Sequence, residues 1–372
     1  MNFKFAKKFR YRAACMALTA VMGATCVAGT VTALSGGSAV SADSKVHSLE
    51  FGDANGTVDL TQIKIDNLSK QVIENKGSAV TVGDLTRTVI VRLEGKPLAE
   101  AGETRYAAEK IAREQKKFLA ALDKKGINYK LKSSYDTIVN AVAIDVKLND
   151  LKAIKAIGGV STVSVGSTYA VPKDAEGGSG SAQTNYSNIY ENGIYNSSDF
   201  VKEGIDGSGT TVAILDTGLD YTHEAFQKLP DADKMSFDRD YVQDLIEGNA
   251  QEYRGSTTLK AVQRSGVTLD DVYISDKVPF AYDYADSDAN VYPSYSQHGT
   301  HVAGIVAGQA ESYTDKHGEQ AKDKNGNTLS FRGVAPEAQL VICKVFTDNL
   351  EDDSIGGAEA GDIIDALEDC YK

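Results

Sequence analysis

Thr210–Leu215 (TTVAIL) is uncharged, rich in β-branched residues and free of polar alternation, and it runs straight into Asp216-Thr217-Gly218. A short run of that kind reads as a strand covered on both faces, as parallel strands in α/β sheets are. Leu340–Phe346, apolar apart from Lys344, reads as a second buried strand. Helices are expected at His298–Gly308, with Val302, Ile305 and Val306 inward and Gly304 and Gly308 allowing close approach, and at Asp362–Tyr371, with Ile363, Ile364, Leu367 and Cys370 inward. Strands alternating with helices give a parallel α/β sheet, and such sheets do their chemistry at the carboxyl ends of the strands.

A smaller pattern of another class lies upstream. Thr88–Leu93 reads as a strand, and Thr104–Lys124 as a helix with Ala107, Ile111, Phe118 and Leu122 on one face and Gly126 as its stop. Ile127–Ser133 and Ile138–Val146 read as a strand pair about Ser134-Tyr135-Asp136. Asn149 stands where it would cap a short helix carrying Leu151, Ile154 and Ile157, which Gly158 ends before a last strand, Val160–Val165. The order β-α-β-β-α-β is that of a ferredoxin-like α+β unit. Ala175–Ala182 (AEGGSGSA) has the composition of an exposed linker, and no internal repeat is found. The sequence therefore divides into 1–42, an unassigned 43–84, the α+β unit 85–172, a connecting stretch 173–208 and the α/β domain 209–372.

Charge and the amino terminus bound the compartment. Of the 39 basic and 52 acidic residues, 14 and 35 fall in residues 175–372, so that part carries −21 within a whole-chain −13 and the part before it is net positive. An acidic balance excludes nucleic-acid binding through a basic surface. Lys4, Lys7, Lys8, Arg10 and Arg12 make a basic start, no charge follows until Asp43, and the apolar run between them ends in Val40-Ser41-Ala42. That is the make-up of a secretory signal peptide cleaved after about Ala42, with a retained membrane anchor as the alternative. Cys15 and Cys26 leave with the signal, and Met22–Cys26 (MGATC) is a poor lipoprotein box. Cys343 and Cys370 lack zinc spacing; a disulfide is open to them outside the cell, and buried free thiols are the expectation.

The chemistry gathers in two motifs. Asp216 in VAILDTGLD emerges at the carboxyl edge of its strand, and His298 in QHGTHVAGIVAG opens a helix at a site-facing end. A carboxylate that orients an imidazole makes a general base, because it fixes the tautomer and stabilises the imidazolium formed when a hydroxyl is deprotonated. Taken singly, Asp216 reads equally as a cap or turn residue and His298 as a capping or core histidine. Metal readings fail on spacing: no Glu lies between His298 and His301, and His223-Glu224 has no second His. Asp323–Asn327 (DKNGN) and the trio Asp283, Asp286 and Asp288 are faint calcium candidates without an EF-hand Glu, and they read also as solvated turns.

In this order, VAILDTGLD, HGTHVAGIVAG and GVAPEAQL resemble the subtilisin family of serine proteases, the subtilases. The stretch KVPFAYDYADSDANVYPSYSQHGTHVAG, followed by GVAPEAQLVICKVFTDN, is more similar still to lactocepin-type cell-envelope proteinases and the streptococcal complement-cleaving peptidases. The resemblance runs over residues 85–372. It implies that Asp216 and His298 are catalytic, that His301 belongs to helix packing, and that residues 230–280 are a surface insertion. It also implies that 85–172 is an inhibitory propeptide acting on its own chain, with Thr168–Pro172 lying along the cleft. Protein or peptide substrates, a secreted or cell-envelope location, no cofactor for catalysis and a possible structural calcium follow in the same way; no nucleic-acid partner is implied, and the membrane enters through the signal peptide.

The family's serine in a GTSMA-like turn and its oxyanion Asn in an NMSLG-like strand have no counterpart here. After His298 the serines are Ser312, Ser330 and Ser354, and none precedes an apolar helix. The expectation is a secreted serine endopeptidase represented by its amino-terminal part: an incomplete subtilisin-like parallel sheet with helices, preceded by a small ferredoxin-like propeptide domain and without turnover of its own. The alternative is a non-catalytic protein whose propeptide fold serves as an inhibitor or binding module.

Overall fold

The computed structural model describes residues 72–75, 78–170, 205–248, 258–312, 330–348 and 357–372, with scattered positions from 314 to 328. The signal segment, most of 43–84, the linker Ala175–Ala182 and Ser354 lie outside the described residues. By its contacts the chain forms two units: Met1–Ala170 with Gln251–Thr257 and Glu359–Lys372, and Val171–Ala250 with Thr258–Ala358. Among the described residues no helix is long and apolar enough to cross a membrane.

The first unit opens with a hairpin of β1 (Val72–Asn75) and β2 (Ser78–Thr81), inside the stretch that sequence left unassigned. An antiparallel sheet follows from β3 (Thr86–Leu93), β4 (Tyr129–Tyr135), β5 (Ala141–Lys147) and β6 (Val160–Val165), in the spatial order β4-β5-β3-β6. Helix α1 (Arg105–Lys125) begins where the Thr104 side chain accepts the Ala107 N–H at 3.2 Å and ends at Gly126 in the left-handed region, φ 69°. Its apolar face supplies Phe118 and Leu122 to a core with Val89, Val91, Ile144, Val146, Leu151 and Ile154.

Two local expectations are corrected here. The β4–β5 turn falls at residues 136–140, because Tyr135 stays in its strand. Asn149 caps nothing: Leu148–Asp150 already turn as a 3-10 segment, so α2 (Leu151–Lys155) starts from Asp150 and Asn149 is one residue early. The Asn149 amide instead fills the space beside Gly83, where a Cβ would lie 1.9 Å from its Oδ1.

The last helix, Ala360–Tyr371, packs in the first unit and turns a largely different face inward from the expected one, although Ile364 does pack, partly buried, against Tyr135, Ala141 and Ala143. Its buried side is acidic, with Asp362, Asp365, Glu368 and Asp369 beside Ala366, while Ile363, Ile364, Leu367 and Cys370 are half-exposed. Polar partners account for the difference. Ser133 Oγ donates to Asp365 at 2.7 Å, and Glu368 accepts the backbone N–H groups of Asp136, Thr137 and Ile138 at 3.3, 2.9 and 2.8 Å. The Tyr371 hydroxyl donates to Glu103 at 2.9 Å. A turn with three inward N–H groups needs an acceptor more than it needs another methyl, since an unpaired buried N–H costs about 1–3 kcal/mol.

The second unit is built on a parallel sheet of β7 (Thr211–Asp216), β8 (Phe280–Asp283) and β9 (Gln339–Lys344), ordered β7-β9-β8. Helix α3 (His298–Ala307) lies on it through Gly299, Ala303, Gly304 and Ala307. Small residues make that contact, so Val302 and Val306 are half-buried, whereas Ile305, expected inward, is 51% exposed and His301 is exposed as well. Among the described strands β7 is at the sheet edge, so Ile214 is buried while Ala213 is exposed, against the expectation of burial on both faces.

Residues 230–280 carry the short helices Arg239–Ile246, Lys260–Ser265 and Leu269–Val272. Gln339 on β9 ties this segment down: its carbonyl accepts the Ser236 and Phe237 N–H groups, and its amide donates to the Phe237 and Asp276 carbonyls. Lys277 adds a second tie, its ammonium fully buried and donating to the Pro336 and Ala338 carbonyls at 2.5 and 2.8 Å. Burial pushes Lys277 down to about 8. Between that value and its ordinary one near 10.5 the unfolded chain holds the proton that the folded chain has released, so folding stability rises with pH through this window. At roughly 1.4 kcal/mol per unit, reduced because titration is partial at each end of the window, the Lys277 contribution should grow by about 3 kcal/mol from pH 8 to 10.5. Urea unfolding of the wild type minus that of Lys277→Met should show this slope; a flat difference would overturn it.

Candidate active site

Asp216 is the final residue of β7 and His298 the first of α3, which brings them together across 82 positions of sequence. His298 Nδ1 lies 2.9 Å from both carboxylate oxygens of Asp216. The Asp216 side chain is 12% exposed and that of His298 28%, so the acid is sheltered and the imidazole reaches solvent. With a carboxylate on Nδ1, the neutral ring carries its proton there and presents Nε2 as the basic nitrogen.

The backbone around the pair leaves no slack. Beyond Asp216 the chain turns at Gly218, φ 109°, where a Cβ would lie 2.2 Å from the Val291 carbonyl oxygen. Gly299, the second residue of α3, sits so close that a Cβ there would lie 2.3 Å from the Gly218 oxygen. Two hydroxyls, of Thr217 and Thr300, join the two motifs, and a third, of Ser296, acts locally beside His298. Thr217 Oγ1 donates to the Ser296 carbonyl at 2.8 Å and accepts the Gly299 N–H at 2.9 Å, Ser296 Oγ accepts the His298 N–H at 3.3 Å, and Thr300 Oγ1 accepts the Asp220 N–H at 2.8 Å. Sequence reasoning missed these residues, although a hydroxyl flanking each member of the pair, in LDTG and SQHGT, was the available signal.

The other candidates separate from this site. Ser312 and Ser330 are exposed and neither is a hydrogen-bond partner of His298; Ser354 lies outside the described residues. His223 Nδ1 accepts the Ala225 N–H at 3.2 Å, a local cap. Cys343 is buried and Cys370, expected buried, is half-exposed.

Among the described residues no group of His, Cys, Asp or Glu is arranged to hold a metal ion, and most of Asp323–Asn327 lies outside them. Asp283 and Asp286, read as calcium candidates with Asp288, serve a cation of the chain's own. The buried Lys344 ammonium pairs with Asp283, with Asp286 at 3.2 Å and with Asp348 at 3.3 Å, while Asp288 pairs with Asp283 through backbone. Against the pull of burial, the three carboxylates hold Lys344 above its ordinary value.

A sheltered carboxylate on the Nδ1 of a solvent-facing imidazole, at the carboxyl edge of a parallel sheet, is an arrangement in which the acid can orient the imidazole as a general base. Residues 207–369 match the subtilase family, and this stretch is a subtilase domain. The chain is 28% identical over 315 residues to the PII-type proteinase of Lacticaseibacillus paracasei and to the PI-type proteinase of Lactococcus lactis subsp. cremoris, a match covering 82% of this chain and 14% of each relative. It is 32% identical over 163 residues to the C5a peptidase of Streptococcus pyogenes serotype M1, covering 43% of this chain and 11% of the peptidase. The chain thus spans about a seventh of the length of the proteinases it matches.

Proposed function

We propose that the chain is the amino-terminal part of a secreted or cell-envelope serine endopeptidase, in which Asp216 orients His298 and His298 is the general base for a serine supplied by sequence outside residues 1–372. The observation that carries this reading is the contact at 2.9 Å between Nδ1 and both oxygens of Asp216. His298 would take the proton of that serine through Nε2 as the hydroxyl attacks a peptide carbonyl, and then return it to the leaving amine. Without the serine, residues 1–372 bind no acyl group and turn nothing over. Residues 1–42 act as the signal peptide and 85–172 as a propeptide inhibitor. Support for the propeptide reading comes from its antiparallel sheet and from Glu368, a residue of the subtilase stretch, accepting three N–H groups of the β4–β5 turn.

A serine-directed fluorophosphonate probe tests the assignment. The chain alone should take no label, and the chain completed with the serine-bearing segment of a PI-type relative should be labelled in proportion to enzyme. Labelling of residues 1–372 alone, lost on mutating Ser312 or Ser330, would place the nucleophile inside this chain and sink the reading.

A further inference from the structure

We infer that Thr217 is the positioning residue of the pair, holding the start of α3 against the end of β7 so that Nδ1 of His298 stays on Asp216; the inference rests on reading those two as orienting acid and base. Within its own segment, the start of α3 has one long side-chain acceptor, Ser296 Oγ, which takes the His298 N–H at 3.3 Å. The N-cap residue, Gln297, makes no side-chain capping bond. The first N–H groups of a helix have no partner within it. Here the Gly299 N–H is taken by Thr217 Oγ1, a hydroxyl from a different element. A hydroxyl has one proton to donate, and Thr217 gives its proton to the Ser296 carbonyl, two residues before His298. One side chain therefore grips the chain on both sides of the imidazole.

The same residue also fixes the acid. The Thr217 N–H donates to Asp216 Oδ1 at 2.7 Å, so backbone and side chain of Thr217 between them set both partners of the contact. Thr217 is 3% exposed and both contacts of its hydroxyl are buried, so the groups it pairs are withdrawn from bulk solvent. Loss of the hydroxyl would leave an N–H and a carbonyl buried and unpaired at the one point where the two motifs touch.

The test reads the Nδ1 proton of His298 in the full chain labelled with ¹⁵N-histidine. A proton held between imidazole and carboxylate gives a far-downfield resonance, assigned by its loss in His298→Ala. Thr217→Ser should keep the resonance. Thr217→Val, of the same shape without the donor, should lose it or exchange that proton with water at least about tenfold faster, because local opening governs exchange. A folded Thr217→Val chain with unchanged exchange would overturn the inference. If Thr217→Val does not fold, Thr217→Cys, a weaker donor and acceptor, replaces it: faster exchange than in wild type supports the clasp, and equal exchange overturns it. Failure of the catalytic reading would look different, since a chain completed with the family serine would then be inactive while the Nδ1 proton still responded to Thr217.

Discussion

Residues 1–372 joined to the segment that follows the matching stretch in a PI-type proteinase are expected to hydrolyse peptide bonds, and His298→Ala in that chain is expected to lower kcat by about 10⁶. The scale is that of removing the base from subtilisin itself. It corresponds to roughly 8 kcal/mol of transition-state stabilisation at 1.36 kcal/mol per decade. Asp216→Asn should cost less, about 10⁴, because Nε2 remains and what is lost is the tautomer and the charge that supports the imidazolium. The order of the two losses follows from the proposed roles: His298 would touch the reacting atoms through Nε2, whereas Asp216, on Nδ1, would act through His298. Hydrolysis that survives His298→Ala would remove the base assignment and the proposed mechanism with it.

Glu368→Ala is expected to destabilise the first unit by about 3 kcal/mol, a large effect for one side chain on a helix. The carboxylate accepts three N–H groups, of Asp136, Thr137 and Ile138. Hydrogen bonds to a charged acceptor contribute about 1.5–3 kcal/mol each, and they do not add when they share one group. Glu368→Gln keeps one acceptor oxygen and should lose about half as much, whereas Leu367→Ala on the half-exposed face should fall within about 1 kcal/mol of wild type. Urea unfolding of the full chain, followed by amide signals of β4 and β5, measures all three. A Glu368→Ala chain as stable as wild type would mean that the turn finds another acceptor.

The pattern of what could be read in the sequence follows from which interactions have a period. The Gly126 stop and the apolar stripe of α1 are local signals, and each lies where the spacing put it, while Thr104, read as the first helical residue, is its cap. The Asp216 and His298 motifs were legible because strand end and helix start are fixed by composition alone. The last helix was misread because its inward face is chosen by N–H groups on a turn more than 200 positions away, and no periodicity in residues 360–371 carries that information. Ile305 was misplaced for a related reason: α3 approaches the sheet through glycine and alanine, so its largest side chains are not its innermost. Lys344 turned a set of aspartates that looked like a cation site into an internal ion-pair cluster, which only the register of β9 against β8 brings together.

The separation of Asp216 from His298 in sequence has a thermodynamic meaning of its own. The chain between them is a loop whose ends are pinned by sheet and helix, and closure entropy grows only with the logarithm of its length. Halving or doubling the stretch that includes residues 230–280 changes that entropy by about 0.6 kcal/mol, less than one good hydrogen bond. At Gly299, by contrast, a single added methyl would lie 2.3 Å from a carbonyl oxygen. Closure entropy therefore does little to fix the length of that stretch; what holds the interval is β8, the Lys277 and Gln339 ties and the few atoms at its two ends.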